Sequence, residues 1–228
     1  MSVIQDPVLV SLLEDLHAAS DAQVEEISDF ELCRNGSPQP PSEEEVRKFR
    51  RDKYVALDRD KAEFCYQLCR ATRARHVVEV GSSFGVSTLY LAAAVRANVQ
   101  TIGGDGVVIG TEYEPEKAGA ARKNFAMAGL ANFIELREGD LRESLKELAW
   151  PIDFALIDIW IGMARPAIEL IFPHLRTGAI VICDNTAVHR AEYADYLGFI
   201  NEPAHDFRTM TLPFRGGLEF SVYHGRSY

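Results

Sequence analysis

From His76 onward, apolar runs of strand length alternate with segments of helical period: "HVVEV" then 86–96, "VVIGTEY" then 115–129, "FIEL" then 141–148, "DFALID" then 164–174, and "AIVICD" then 186–197. This alternation constrains the fold more than any other feature, because it implies a parallel sheet covered by helices on both faces. The pattern then changes. "FRTMTLPF" and "LEFSVYH" flank Arg215-Gly216-Gly217 and predict an antiparallel hairpin at the end of the sheet. The expected class is therefore α/β, a doubly wound and mostly parallel sheet closed by a C-terminal antiparallel hairpin strand.

Ahead of that core, an amphipathic stripe (Val8, Leu9, Leu12, Leu13, Leu16) and an acidic stretch lead into "RNGSPQPPSEEE", a loop rich in turn formers. Residues 1–50 read as an N-terminal helical extension, serving as a lid or a dimer contact, and residues 51–228 as the main domain. Ser42 followed by Glu45 is a capping-box signature, and Asp58 is placed to cap the next helix. With 228 residues, 47% of them hydrophobic, there is apolar material for one compact unit with a short appendage. A net charge of −10 argues against a nucleic-acid partner. No apolar run approaches a membrane span and the amino terminus lacks signal-peptide character, so a cytoplasmic protein with no membrane partner is expected. Four cysteines (Cys33, Cys65, Cys69, Cys183) show neither zinc-site nor disulfide spacing, and Cys65 and Cys69 read as core thiols on a helix.

In open sheets of this kind ligands gather at the carboxyl ends of the strands. The first such end is "VVEVGSSFGVST", where Gly81 and Gly85 bracket the strand-to-helix turn and Ser82, Ser83 and Ser87 supply short donors. Glu79 just before the turn would repel a pyrophosphate and attract an ammonium, which favours an amino-acid-bearing cofactor over a dinucleotide. The missing third glycine also argues against a nicotinamide-dependent oxidoreductase. Glu112 ends the second strand, where a carboxylate accepts hydrogen bonds from ribose hydroxyls. Asp140 beyond the third strand fits either a helix cap or a partner for an adenine amino group. Asp158, in "LIDIWIG", is a carboxylate among large apolar side chains and needs solvent, a cation or donors. Asp184-Asn185 ends the fifth strand, so two carboxylates and an amide oxygen are expected to converge. That hard-oxygen set suits Mg²⁺ rather than zinc.

The order "VEVGSSFGVST", "GTEYEPEKA", "ELREGD", "DFALIDIW", "VICDNT" and "GGLEFSVY" resembles the small cation-dependent O-methyltransferases, the family that includes catechol and caffeoyl-CoA O-methyltransferases. The likeness runs from about residue 55 to 223. It implies a Rossmann-like class I fold and an S-adenosylmethionine cofactor. Glu79 would lie near the methionine moiety, Gly81, Ser82, Ser83 and Ser87 around the turn, Glu112 on the ribose, and Asp140 and Leu141 beside adenine. Leu57 would lie over the cofactor, and Trp160 would wall the adenine or an aromatic substrate. Asp158, Asp184 and Asn185 would match the family's divalent-cation ligands. The expected activity is methylation of a hydroxyl on a small aromatic or specialised metabolite, with a small-molecule acceptor and a homodimer as partners.

One departure stands out. Family members with a catalytic lysine carry it where this chain has Ile161. His189, expected one turn into the helix after Asn185, is the nearest alternative base in the sequence. Ile161 also motivates an alternative, a methyltransferase-fold protein that has changed its chemistry or holds the cofactor without turnover.

Overall fold

The computed structural model describes residues 2–37 and 39–225. Its centre is a seven-stranded sheet in the order β3-β2-β1-β4-β5-β7-β6. The strands are β1 (His76–Val80), β2 (Val107–Glu112), β3 (Ile134–Glu138), β4 (Ile152–Ile157), β5 (Leu175–Asp184), β6 (Phe207–Leu212) and β7 (Leu218–Tyr223). β1 to β5 pair in parallel, whereas β7 inserts antiparallel between β5 and β6. The expected sheet and closing hairpin are thus present, with the second hairpin strand rather than the first lying against the parallel part.

The helices are α1 (Pro7–Asp21), α2 (Val24–Gly36), α3 (Glu43–Arg50), α4 (Arg59–Thr72), α5 (Val86–Ile102), α6 (Pro115–Met127), α7 (Leu141–Ser144), α8 (Ile161–Ile171) and α9 (Ala194–Asn201). Side chains alternate across the sheet, so each buried strand feeds two cores. Val77, Phe154, Leu156, Ile180 and Ile182 face α1, α4 and α5, while Val78, Ala155, Ile157, Val181 and Cys183 face α8 and α9. Nearly continuous apolar strands, which period alone cannot distinguish from buried helix, are the consequence of this double coverage. No helix among the described residues is long and apolar enough to cross a membrane.

Three expectations change. The apolar stripe of α1 is not an appendage: Leu9, Leu12, Leu13 and Leu16 are buried in the same core as α5. The helix expected over 141–148 is a single turn ending at Ser144. The helix expected from residue 186 begins only at Ala194, and residues 186–193 form turns. Its start is displaced because Asn185 adopts a left-handed φ of 60° and the amides of Ala187 and Val188 donate to the Gly216 carbonyl, tying this stretch to the hairpin. By contrast, the Ser42 and Glu45 capping box forms as the spacing predicts. Cys65 and Cys69 are buried free thiols.

Candidate active site

The strand order reverses direction between β1 and β4, which opens a crevice beyond their carboxyl ends. A cavity lies there, and its lining includes Tyr54, Leu57, Gly81, Ser83, Ser87 and Asp158. The β1 to α5 turn forms its floor. Gly81 has φ +96° and Ser83 has φ +49°, and the Ser82 amide donates to the Thr111 carbonyl at 2.8 Å. The positive φ at Gly81 lets the chain turn away from the strand beneath the Asp158 backbone.

Glu79 is fully buried under this turn and accepts hydrogen bonds from the hydroxyls of Ser82 (2.7 Å) and Thr88. Its Oε1 has no partner among the described residues. Burial raises the carboxyl pKa, against the opposing pull of the Ser87, Thr88 and Ser82 hydroxyls. Ser82 is therefore engaged with Glu79 from within, not simply a donor presented to a ligand. Glu112 accepts from the amides of Ser83 and Glu114, each at 2.8 Å, so its carboxylate is held at the rim by the turns on either side. Lys117 donates to Ser83 Oγ at 3.3 Å, a contact that nothing in the sequence pattern indicated.

Asp140 is the N-cap of α7: its Oδ1 accepts from the Arg142 amide at 2.9 Å. The Arg142 guanidinium beside it holds the carboxyl down at about 2. Of its two sequence readings the cap is the one seen, with Leu141 buried next to it.

Asp158 follows β4 and Asp184 ends β5. Because Ile157 pairs with Cys183, the two acids leave neighbouring strands in register. The Asp158 amide donates to the Val80 carbonyl at 3.0 Å, and no hydrogen bond reaches its carboxylate among the described residues. Burial, then the charges of Asp184 and Glu79, push the Asp158 pKa well up. Burial raises Asp184 as well, against the opposing charge of Lys61. That lysine, on α4, was missed: it is 1% exposed, and its Nζ stands 2.7 Å from Asp184 Oδ1. Asn185 Nδ2 donates to the other oxygen, Asp184 Oδ2, at 3.0 Å. Among the described residues no three His, Cys, Asp or Glu side chains gather as a metal cluster.

Trp160 is 46% exposed and lies under the Arg50 guanidinium of α3, 4.6 Å from the ring centroid. Arg47 and Arg51 reach Glu114 just beyond β2, each at 3.5 Å. α3 therefore straddles the crevice, touching the ends of both β2 and β4. Ile161 opens α8 and packs against the apolar core of that face. His189 lies in the exposed turns, not one turn into a helix, with Nδ1 3.0 Å from Glu192.

Comparison with known proteins agrees with this architecture. A methyltransferase-domain family matches residues 78–186. A catechol O-methyltransferase of Mycobacterium tuberculosis is 32% identical over 132 residues, covering 58% of this chain and 57% of that protein. A catechol O-methyltransferase of Niastella koreensis is 27% identical, covering 58% of each. The aligned regions thus span a little over half the length of these curated relatives. Among solved structures, an O-methyltransferase from Bacillus cereus in complex with SAH superposes with a TM-score of 0.68 at 20% identity, over 97% of this chain and 92% of that one. The methyltransferase TomG from Streptomyces achromogenes, in complex with SAM, gives 0.67 at 18% identity, over 92% and 98%. The chain thus carries a methyltransferase-domain match over residues 78–186 and shares the fold of these solved proteins.

Proposed function

We propose that the protein transfers the methyl group of S-adenosylmethionine to a hydroxyl oxygen of a small aromatic acceptor of the phenol or catechol kind, assisted by a divalent cation. The observation that carries this reading is the crevice itself: a buried acid with an unmet oxygen at one end, and two acids in register at the other. The residues fit the cofactor. The partnerless Glu79 Oε1 is the group an incoming ammonium would satisfy, and Gly81 leaves the turn bare of a side chain. Glu112 has spare lone pairs for ribose hydroxyls beyond the two amides it accepts. Trp160 and Leu57 offer apolar walls, Trp160 with one face already covered by Arg50.

The oxygen chemistry of Asp158, Asp184 and Asn185 at the other end suits a hard divalent cation, with Asp184 Oδ1 on Lys61 and its Oδ2, here taken by Asn185 Nδ2, having to exchange that amide for the ion. Asp158, Asp184 and Asn185 would hold it. When bound, such an ion lends positive charge to an acceptor oxygen and lowers the cost of removing its proton. The chain's own contribution is orientation. The rigid strand ends fix both partners, so that the oxygen–carbon bond forms as the carbon–sulfur bond breaks in line with it. The acceptor proton passes to solvent or a basic group, and the demethylated cofactor leaves. His189, exposed and paired with Glu192, is not placed as a buried base. The names of the curated relatives favour methyl transfer over the non-methylating alternative.

Calorimetry with S-adenosylhomocysteine, followed by a mass-spectrometric methylation assay on a phenol and catechol panel with and without EDTA, tests the reading. Binding and EDTA-sensitive product are expected, and Asp158→Ala should abolish product while leaving S-adenosylhomocysteine binding measurable. No binding would refute the function. Full activity in EDTA would refute the cation's part in it.

A further inference from the structure

Lys61 is an ammonium buried almost completely, one turn into α4, with Nζ 2.7 Å from Asp184 Oδ1 and 3.0 Å from Asp58 Oδ2. Asp58 sits at the N-cap position of α4, yet its side chain makes no capping hydrogen bond. It turns instead to Lys61 through Oδ2 and to Arg215 through Oδ1, the latter at 3.0 Å. Four charges therefore alternate from surface to interior: Arg215 (79% exposed), Asp58, Lys61 and Asp184. Each acid in the chain is gripped on both oxygens, Asp58 by Arg215 and Lys61, Asp184 by Lys61 and Asn185. A carboxylate tied at both oxygens cannot swing about its terminal torsion.

Stability alone does not explain this arrangement. Replacing a buried ion pair with well-packed apolar side chains is often neutral or stabilising, so the charges cost more to bury than a methionine would. Nor is Lys61 interchangeable with the other buried lysines. Lys53 pairs with Glu26 and Asp52, and Lys117 reaches Ser83 at the cofactor end of the crevice. Ile161, at the start of α8, has no polar side-chain atom and packs against the apolar core. The outer end of the chain of charges is also tied to the site, because Gly216, next to Arg215, packs against Asn185 and receives the amides of Ala187 and Val188.

We propose that Lys61 is a positioning residue for the methyl transfer described above, acting through Asp184. Its ammonium fixes the Asp184 carboxylate in the orientation used beside Asp158 and Asn185, and the Asp58–Arg215 pair holds that ammonium from behind. The inference rests on the proposed function and adds to it a residue that does not itself contact the acceptor.

The test is a double-mutant cycle on Lys61→Met and Asp184→Asn, read as kcat with the best acceptor from the panel and as S-adenosylhomocysteine affinity by calorimetry. Lys61→Met is expected to lower kcat by about 10²- to 10³-fold, the loss seen when one preorganised electrostatic group is removed. S-adenosylhomocysteine affinity should stay at the wild-type value, since Glu79 and the β1 turn are untouched. The double variant should be no slower than Asp184→Asn alone, because a residue acting through Asp184 has nothing left to position. If Lys61→Met does not fold, Asp58→Asn, at a partly buried residue, carries the same test: lower kcat, unchanged binding, and no added loss in the Asp184→Asn background. Wild-type kcat in the folded variant, or losses that multiply in the double variant, would overturn this role while leaving the function standing. A wild type that binds S-adenosylhomocysteine but methylates nothing on the panel would overturn both.

Discussion

Replacing Gly81 with alanine isolates what the β1 to α5 turn demands. The residue sits at φ +96°, where an L side chain costs about 1–2 kcal/mol. Its new Cβ would overlap the carbonyl oxygen of Asp158 and stand 3.0 Å from that carbonyl's carbon and 3.3 Å from Ile159 Cβ. Two of these three neighbours are backbone atoms, pinned by the Asp158 amide's bond to the Val80 carbonyl, so the overlap is not relieved by a rotamer change. Overpacking of this kind costs about 1–3 kcal/mol, which makes the sum about 2–5 kcal/mol. In a chain of this length that lowers the melting temperature by about 4–20 °C. The control is the same chemical change at Gly119, an exposed position inside α6 where an added Cβ meets nothing within 4 Å. There alanine should stabilise by about 0.5–1 kcal/mol. Thermal unfolding by circular dichroism reads both variants. Gly81→Ala melting at or above the wild-type temperature would refute the steric reasoning, and equal shifts for the two glycines would refute the argument from position.

Two other perturbations separate stability from function. Glu79→Gln removes a carboxylate whose pKa burial has raised, so the variant should melt no lower than wild type at neutral pH, while S-adenosylhomocysteine binding weakens at least tenfold, on the order of one lost charged contact; unchanged affinity in calorimetry would remove Glu79 from the cofactor site. His17, buried between α1 and α5 with Nε2 3.2 Å from the Tyr90 hydroxyl, has its pKa lowered from 6.5 by burial first and Arg59 second, against Asp21 and Asp58. The neutral ring therefore favours the folded state: its contribution is complete above the ordinary value and is lost as pH falls through that value towards the depressed folded one. In His17→Phe the difference between urea midpoints at about pH 7.5 and about pH 5.5 should be smaller than in wild type, and an unchanged difference would exclude His17 as its source.

The sheet was legible because a strand covered on both faces must be apolar at nearly every position, and such runs stand out between helical periods. Strand ends were legible for the same reason: Glu79, Glu112, Asp158 and Asp184 are acids where the apolar run stops. What escaped depended on partners far away in the chain. Lys61 looks like any solvated lysine on α4, and only the fold brings it to Asp184, 123 residues later. Asp58 carried a valid capping signal by position, but its carboxylate went to two cations that local sequence does not reveal. The stripe on α1 was visible, whereas the α5 face that receives it was not. The segment 186–193 failed as a helix because Gly216, in a distant hairpin, takes its first amides.

Magnitudes also separate the two halves of the N-terminal region, which the sequence presented as one extension. Four buried leucines anchor α1, and at about 1.5–3 kcal/mol for each side chain removed from water their gross contribution is about 6–12 kcal/mol. α3 is held differently. Val46 is its buried apolar residue, Phe49 stacks on Phe30 of α2 at 3.8 Å, and its grip on the crevice comes from arginines: Arg47 and Arg51 at Glu114, Arg51 at Glu116, Arg47 over Tyr113 and Arg50 over Trp160. Arg47 and Arg51 are each half exposed, and pairs of that kind contribute about 0–1 kcal/mol and weaken with salt. The cation–π contact at a partly exposed tryptophan adds about 0.5–1 kcal/mol. Displacing α3 from the strand ends therefore costs a few kcal/mol at most, whereas displacing α1 would open the main core. The hold of α3 on the crevice is therefore expected to weaken with salt, whereas that of α1 on the core is not.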